Sequence, residues 1–227
     1  MAKILNISGS EIKDRGIQKL AEYLEANLSD AFTLVIGCKP SIYDVDAVLI
    51  GGGNIYAIEC KDWMGNVKGG SYGWWKKDGQ IIENPLQQAR NNAVALGKWL
   101  RDNIRAARDA VWVKGLVVFT HDDIDLNLNI DDNSNTAVSL FHLNDLKGHI
   151  DKQKGPMKKE LEEIVLRFFS RFGEGDKMKK MSWIEKILSL LSISAFIATV
   201  FFGYRFLSID RDFGSFEVKA EAPIGRV

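Results

Sequence analysis

The chain has 227 residues, of which 30 are basic and 30 acidic, so its formal net charge at pH 7 is zero. This length suffices for one sizeable domain with an appendage, and the balanced charge excludes a globally basic nucleic-acid-binding protein, though not a local basic patch. The two cysteines, Cys38 and Cys60, have no metal-ligating partner at close spacing. We therefore expect a reducing compartment and neither a disulfide framework nor a zinc ribbon. No stretch near the N-terminus is apolar over enough residues to predict a signal peptide.

The first predicted element is an amphipathic helix. Residues 8–28 carry an apolar stripe at helical spacing, and Ser8 and Glu11 have the spacing of a capping box. We therefore expect a helix that begins near Ser8.

Three strands are predicted next, the last two of them as a hairpin. Residues 32–36 favour a short strand, and residues 46–50 and 55–61 are apolar runs on either side of Gly-Gly-Gly-Asn. Such a turn sequence predicts that the two runs pair antiparallel. A second hairpin is predicted where residues 74–75 and 80–82 flank an Asp-Gly dipeptide.

A long helix and a buried strand follow. Asn84 is a favourable N-cap and Pro85 a favourable first residue for a helix that runs through residue 104. Residues 111–119 are almost continuously apolar, as in a strand buried on both faces. This order of elements indicates an α/β fold with a mixed sheet flanked by helices. The remaining predictions are an acidic loop at 121–135, a strand at 137–141, a short helix at 143–150 and a basic amphipathic helix at 157–172.

The C-terminal region predicts a transmembrane helix. Residues 187–204 contain no charged side chain and would span roughly 27 Å as a helix, close to the thickness of the bilayer core. A buried core helix is the alternative, but the stretch lacks a polar stripe. The basic bias before this stretch predicts a single-pass membrane protein with its N-terminal domain in the cytoplasm. The predicted organisation is a domain at 8–150, a basic amphipathic helix and linker at 151–181, a transmembrane helix at 183–207 and a short tail at 208–227.

The Glu-x-Lys pattern occurs three times in the chain, but only the pair Glu59 and Lys61 lies on a predicted strand. Since side chains alternate along a strand, the two project from the same face, with Cα atoms roughly 7 Å apart. The predicted hairpin brings Asp46, at the start of the preceding strand, beside the end of this one. Cys60 points the opposite way, so its side chain is expected in the core.

Two carboxylates and an ammonium group at one edge of a sheet suit metal-assisted phosphoryl chemistry. Asp46, Glu59 and the main-chain carbonyl of Cys60 offer the hard oxygen ligands that Mg²⁺ (or Mn²⁺) prefers. Such a metal lowers the pKa of a bound water and neutralises charge on a phosphodiester under attack. Lys61 would position the nucleophile and stabilise the developing negative charge. The alternative interpretation is a salt bridge at the end of a strand.

The sequence DVDAVLIGGGNIYAIECKDWMGNV, followed by WW and then by NPLQQARNNAVALGKWL, resembles the nuclease-related domain (NERD) family, a branch of the PD-(D/E)XK nuclease superfamily. Members of the family share an acidic strand, a glycine hairpin, a strand that ends in Glu-x-Lys and a helix that begins Asn-Pro-x-x-Gln. The resemblance covers roughly residues 8–150. It implies a restriction-endonuclease-like mixed sheet flanked by helices.

The resemblance also implies roles for particular residues. Asp46 and Glu59 are the implied metal ligands, and Lys61 is the implied catalytic lysine. Gln88, fourth after the N-cap asparagine, matches the helix glutamine that lies close to the site in the family, and Gln87 is the lesser candidate.

Two features near this pattern are less well defined. The first helix of the family usually supplies a further acid, for which Glu11 and Asp14 are both candidates. Asp62 stands where the family commonly has asparagine, which adds a negative charge beside the implied catalytic lysine.

Aromatic and basic residues outside the pattern offer binding surfaces. Trp63, Trp74 and Trp75 could stack nucleobases, but we expect them to pack a hairpin against the sheet. The basic residues of 152–180 could contact nucleic acid or anionic lipid head groups, and their nearness to the membrane segment favours lipid. Small residues in the membrane segment are compatible with pairing to a second copy or to another protein.

The predicted function is thus a membrane-anchored, Mg²⁺-dependent nuclease that hydrolyses phosphodiester bonds of nucleic acid. The superfamily resemblance favours DNA over RNA as the substrate. The alternative is a catalytically inactive, membrane-tethered module that binds nucleic acid or a protein on the same fold. Metal binding that depends on Glu59 would distinguish the two.

Overall fold

The computed structural model describes residues 1–8, 10–40, 43–130 and 138–171, all within one compact unit. Within these ranges no helix is both long enough and apolar enough to cross a membrane. The predicted transmembrane helix at 183–207 and the tail at 208–227 lie outside the described residues.

Six strands form the main sheet. In order across the sheet they are β1, β2, β3, β4, β8 and β10 when numbered along the chain. The pairs β2–β3 and β3–β4 are antiparallel, whereas β1–β2, β4–β8 and β8–β10 are parallel, so the predicted mixed sheet is confirmed. The strand bounds are Lys3–Asn6 (β1), Thr33–Cys38 (β2), Val45–Gly51 (β3), Asn54–Lys61 (β4), Val113–Phe119 (β8) and Val138–His142 (β10).

A second sheet of four strands has the order β7, β6, β5, β9. Its strands are Gly65–Gly70 (β5), Trp75–Lys77 (β6), Gln80–Ile82 (β7) and Ile124–Asn129 (β9). The predicted second hairpin is confirmed, since β6 and β7 pair antiparallel around Asp78 and Gly79, which both have positive φ. Those two dihedrals are the ones that a tight two-residue hairpin turn requires.

Strand β9 corrects the prediction of a loop at 121–135. Ile124, Leu126 and Leu128 are wholly or partly buried, while the polar residues between them are exposed. This alternation is typical of a half-buried strand, and β9 pairs parallel with β5. The polar composition of the segment concealed its period of two.

The helices lie on both faces of the main sheet. Their bounds are Arg15–Asn27 (α1), Pro85–Asn103 (α2), a 3-10 turn at Arg105–Ala107, Leu143–Lys152 (α3) and residues 159–171 (α4). The predicted N-cap of α2 is confirmed, because the Asn84 side chain accepts hydrogen bonds from the amides of Leu86 and Gln87.

The start of α1 differs from the prediction. Its N-cap is Asp14, whose Oδ1 accepts from the amide of Ile17 at 3.0 Å, so the Ser8–Glu11 capping box is wrong. Ser8 instead hydrogen-bonds Asn6 and Ser10 in a local turn. Lys3–Asn6, which precede the predicted helix, form β1, a strand that was not predicted from the sequence.

The packing on the two faces of β4 shows where its side chains point. Ile55 and Ala57 contact the core that contains residues of α2 and α4, among them Leu96 and Phe169. Tyr56, Ile58 and Cys60 contact the core on the opposite face, which contains residues of α1 and α3. The alternation predicted for this strand is therefore confirmed, with Cys60 in the core. It also places the side chains of Glu59 and Lys61 on the α2 face.

Candidate active site

The β3–β4 hairpin brings Asp46 beside Glu59. The ladder runs from Gly51 opposite Asn54 to Ala47 opposite Ile58, and one further step places Asp46 opposite Glu59. At this step the amide of Cys60 donates to Oδ2 of Asp46 at 2.8 Å. The Asp46 carboxylate thus replaces a main-chain acceptor at the point where the two strands separate. Since the amide and the carbonyl of one residue point to the same side of a strand, the Cys60 carbonyl also points toward β3.

Glu59 is buried, with 6% of its surface exposed, and both of its oxygens have a donor. Lys61 Nζ donates to Oε1 at 2.6 Å, and Asn92 Nδ2 donates to Oε2 at 2.9 Å. A buried carboxylate without such partners would cost several kcal/mol, so these two side chains stabilise Glu59 and fix its orientation.

Helix α2 supplies two amides to this face of the sheet. Asn92 was not predicted from the sequence, although it lies one helical turn after Gln88 and so shares its side of the helix. Gln88 Nε2 donates to Glu83 Oε2 at 2.8 Å, whereas Gln88 Oε1 is buried and has no hydrogen-bond partner among the described residues. An unsatisfied buried acceptor costs about 1–3 kcal/mol, which a donor on a bound ligand or water would recover.

The family model of the nuclease-related domain (NERD) matches residues 12–120. Over these residues the chain is similar to nuclease-related domains. The resemblance noted in the sequence is thereby confirmed for these residues, and the mixed α/β architecture with flanking helices fits a nuclease-like fold. No curated protein and no solved structure gives a significant match to the chain.

The electrostatics of the NERD segment single out Asp46. Burial and the neighbouring charge of Glu59 raise the pKa of Asp46 to about 7, while the Cys60 amide and the Lys61 ammonium oppose this rise only in part. Near neutral pH the carboxylate therefore holds a proton for much of the time. A divalent cation at this position would displace that proton and relieve the repulsion between Asp46 and Glu59.

Of the two candidates for a further acid, Asp14 lies nearer the site. Its negative charge contributes to the raised pKa of both Asp46 and Cys60. A Cβ built on Gly16 would lie 3.2 Å from both Asp14 Oδ1 and Cys60 Sγ. Glu11, by contrast, is exposed and precedes the helix.

Asp62, the departure from the family pattern, is neutralised by other residues. Lys19 Nζ donates to Asp62 at 2.6 Å, Thr120 Oγ1 donates at 3.0 Å, and Arg15 lies 3.7 Å away. Partial burial raises the pKa of Asp62, but the hydrogen bonds from Lys19 and Thr120 outweigh it, so the pKa is lowered overall. This cationic cluster offsets the charge of Asp62 locally, whereas Lys61 pairs with Glu59.

The donor set of the NERD segment fits a hard divalent cation that keeps most of its water. No group of three His, Cys, Asp or Glu side chains in the described ranges is close enough to bind a metal alone. Asp46 and Glu59 with the Cys60 carbonyl supply only oxygen, and Mg²⁺ is commonly held by one or two carboxylates with several waters retained. The raised pKa of Asp46 is consistent with such a hydrated ion.

The three tryptophans have different surroundings. Trp75 is fully buried, and Trp63 packs on Phe119 with ring centroids 5.9 Å apart, as the packing prediction required. Lys61 Nζ lies 5.4 Å from the centre of the Trp63 ring, which helps to hold the lysine in place. Trp74 is 71% exposed, so the packing prediction is wrong for this residue.

Proposed function

We propose that the chain is a metal-dependent nuclease that hydrolyses phosphodiester bonds of nucleic acid, with DNA as its substrate. The observation that carries the proposal is the position of Asp46 opposite Glu59 within a NERD segment, with Lys61 on the same face of β4. A salt bridge alone would not require a second carboxylate beside the first. Burial and then the charge of Glu59 raise the pKa of Asp46, so two ionised carboxylates at this position are unfavourable without a neighbouring cation.

Each residue of this group has a distinct proposed role. Asp46, Glu59 and the Cys60 carbonyl would hold Mg²⁺ or Mn²⁺, which supplies an activated water and offsets phosphodiester charge. Lys61 would shift its hydrogen bond from Glu59 to the attacked phosphate and stabilise the developing charge. Gln88 Oε1 would accept a hydrogen bond from the attacking water.

Asn92 has a positioning role in this proposal. Its amide fixes Oε2 of Glu59 while Lys61 holds Oε1, so the carboxylate keeps one orientation when the lysine moves to substrate. Residues that orient metal ligands commonly change affinity or activity by about 10- to 100-fold when replaced.

Cleavage of labelled DNA with and without Mg²⁺ tests the proposal. Wild type should cleave only with metal, and Lys61→Ala should lose the activity. Lys98→Ala is the matched control, because Lys98 is an exposed lysine on α2. Equal activity of wild type and Lys61→Ala, or no cleavage by wild type across varied DNA and RNA substrates, would contradict it.

A non-catalytic module that binds nucleic acid or a protein is the second candidate. It is favoured by the lack of a third acidic, His or Cys ligand near Asp46 and Glu59 in the part of the chain that the structure describes. Calorimetry separates the two candidates. The nuclease should bind Mg²⁺ or Mn²⁺, and Glu59→Ala should abolish the binding, whereas the module should show no such heat in either protein.

We further propose that residues 187–204 anchor the chain in a membrane with the NERD segment in the cytoplasm. The proposal is supported by the uncharged apolar stretch and the lysines that precede it. Full-length protein should require detergent for extraction, and a chain that ends at residue 180 should not. A full-length chain that stays monomeric without detergent would refute the anchor.

A further inference from the structure

Two aromatic side chains are exposed next to the small sheet. Tyr72 and Trp74, just before β6, are 66% and 71% exposed, although large aromatic residues are usually among the more buried. Trp75 follows directly and is fully buried, so the alternation of an extended chain turns Trp74 outward. The two aromatics border a pocket of about 320 Å³, lined by Tyr72, Gly73, Trp74, Glu83, Asn84 and Gln87.

Helix α2 links this pocket to the candidate active site along the chain. Glu83 accepts a hydrogen bond from Gln88, whose other amide atom is the unsatisfied oxygen. Asn84 caps α2, the helix that carries Asn92 to Glu59. Helix α2 therefore begins at the pocket and carries Asn92 to the candidate active site.

The outer face of the small sheet carries positive charge beside the pocket. Lys68 of β5 lies directly opposite Lys76 of β6, and both side chains are exposed. Neither lysine forms an ion pair with any residue that the structure describes. Like charges directly opposite each other on two strands are destabilising, and an anion bound between them removes that cost.

We propose that Tyr72 and Trp74 form a stacking platform for a nucleobase of single-stranded nucleic acid, and that Lys68 and Lys76 contact the phosphates of the same strand. Unpaired bases present a free face to aromatic rings, whereas the bases of a duplex are already stacked on each other. The inference rests on the proposed function and narrows it, because it assigns single-stranded or locally unpaired nucleic acid as the substrate.

Fluorescence anisotropy with a short labelled oligothymidylate tests the platform in metal-free buffer, where no cleavage interferes. Wild type should bind the single strand more tightly than a duplex, and Trp74→Ala should weaken that binding roughly 5- to 100-fold. Trp74→Phe keeps an aromatic face and should retain most of the affinity. The matched control is Trp112→Ala, since Trp112 is 76% exposed but precedes β8 at the opposite end of the sheet from Glu59.

Salt dependence tests the lysines separately. Lys76→Ala should reduce the slope of log affinity against log salt by about 0.7, the value for one lost phosphate contact on a single strand. Lys98→Ala should leave the slope unchanged. An unchanged slope for Lys76→Ala would overturn the assignment of this face to phosphates.

The platform and the proposed function fail in different ways. The platform is overturned if Trp74→Ala binds the single strand as wild type does, if Trp112→Ala loses as much affinity, or if wild type does not prefer single strands. Metal-dependent cleavage that is indifferent to strandedness and to Trp74→Ala would leave the nuclease standing without the platform. Tight single-strand binding that depends on Trp74, without cleavage, would leave the platform standing without the nuclease.

Discussion

Replacing Asp46 by asparagine should stabilise the metal-free protein at alkaline pH. Asparagine keeps an oxygen that can accept from the Cys60 amide at the same position, so the change removes the charge but not the hydrogen bond. The pKa of Asp46 is about 7 in the folded protein, against an ordinary value of 3.8. At about 1.4 kcal/mol for each pH unit, ionising it in the fold costs on the order of 4 kcal/mol, and solvent screening of this partly exposed group reduces that to about 2.

The dependence of this effect on pH is its specific signature. Between pH 3.8 and about 7 the folded protein binds more protons than the unfolded chain, so the stability of wild type falls as the pH rises through this window. The advantage of Asp46→Asn should therefore be close to zero near pH 4 and full at pH 8. For a domain of this size about 2 kcal/mol corresponds to an increase in Tm of roughly 4–8 °C.

Thermal unfolding of wild type and Asp46→Asn, followed by circular dichroism at pH 4.5 and pH 8, measures the difference in Tm at low and at high pH. Mg²⁺ should raise the Tm of wild type at pH 8 but not that of Asp46→Asn, because the variant lacks a ligand. A variant that is less stable than wild type at pH 8, or equally more stable at both pH values, would refute the electrostatic reasoning.

Three further outcomes are expected. Asn92→Ala should lower metal-dependent cleavage by about 10- to 100-fold in an assay of labelled DNA, because Glu59 loses a donor; unchanged cleavage would exclude the positioning role. Lys19→Ala should lower the free energy of unfolding by roughly 0.5–1 kcal/mol in urea titrations above pH 4, because the ion pair with Asp62 is lost. The difference from wild type should fade as acid protonates Asp62, and a difference that does not change with pH would contradict this ion pair. Gly155→Ala should lower the free energy of unfolding by more than about 2 kcal/mol in the same titrations, because its Cβ would lie 1.8 Å from the Gly53 carbonyl oxygen. Gly148→Ala should not destabilise the protein, because a Cβ at this position of α3 meets open space.

The hairpin that carries the candidate site was predictable from the sequence because each level of evidence agreed. The glycine turn, the alternation along 55–61 and the position of Asp46 all indicate one register, and the structure has that register. Asn84 and Pro85 likewise fix the start of α2 through local chemistry. Gln88 follows from that start, because its offset from the cap determines its side of the helix.

Other features depended on contacts that the sequence does not encode locally. Asp14 caps α1 although the Ser8 and Glu11 spacing looked equally suitable, and β1 forms because β2 offers it an edge. The role of Asn92 appears only when α2 is docked on β4. The ion pair between Lys19 and Asp62 joins residues that are 43 positions apart, so the charge of Asp62 looked unbalanced in the sequence.

Metal-dependent cleavage of DNA by wild type and Lys61→Ala at equal protein concentration is the most direct test of the central claim. The account predicts that wild type cleaves when Mg²⁺ is added and that Lys61→Ala is slower by about 100-fold or more, as for the loss of one group that stabilises developing charge. Equal rates for the two proteins would contradict it.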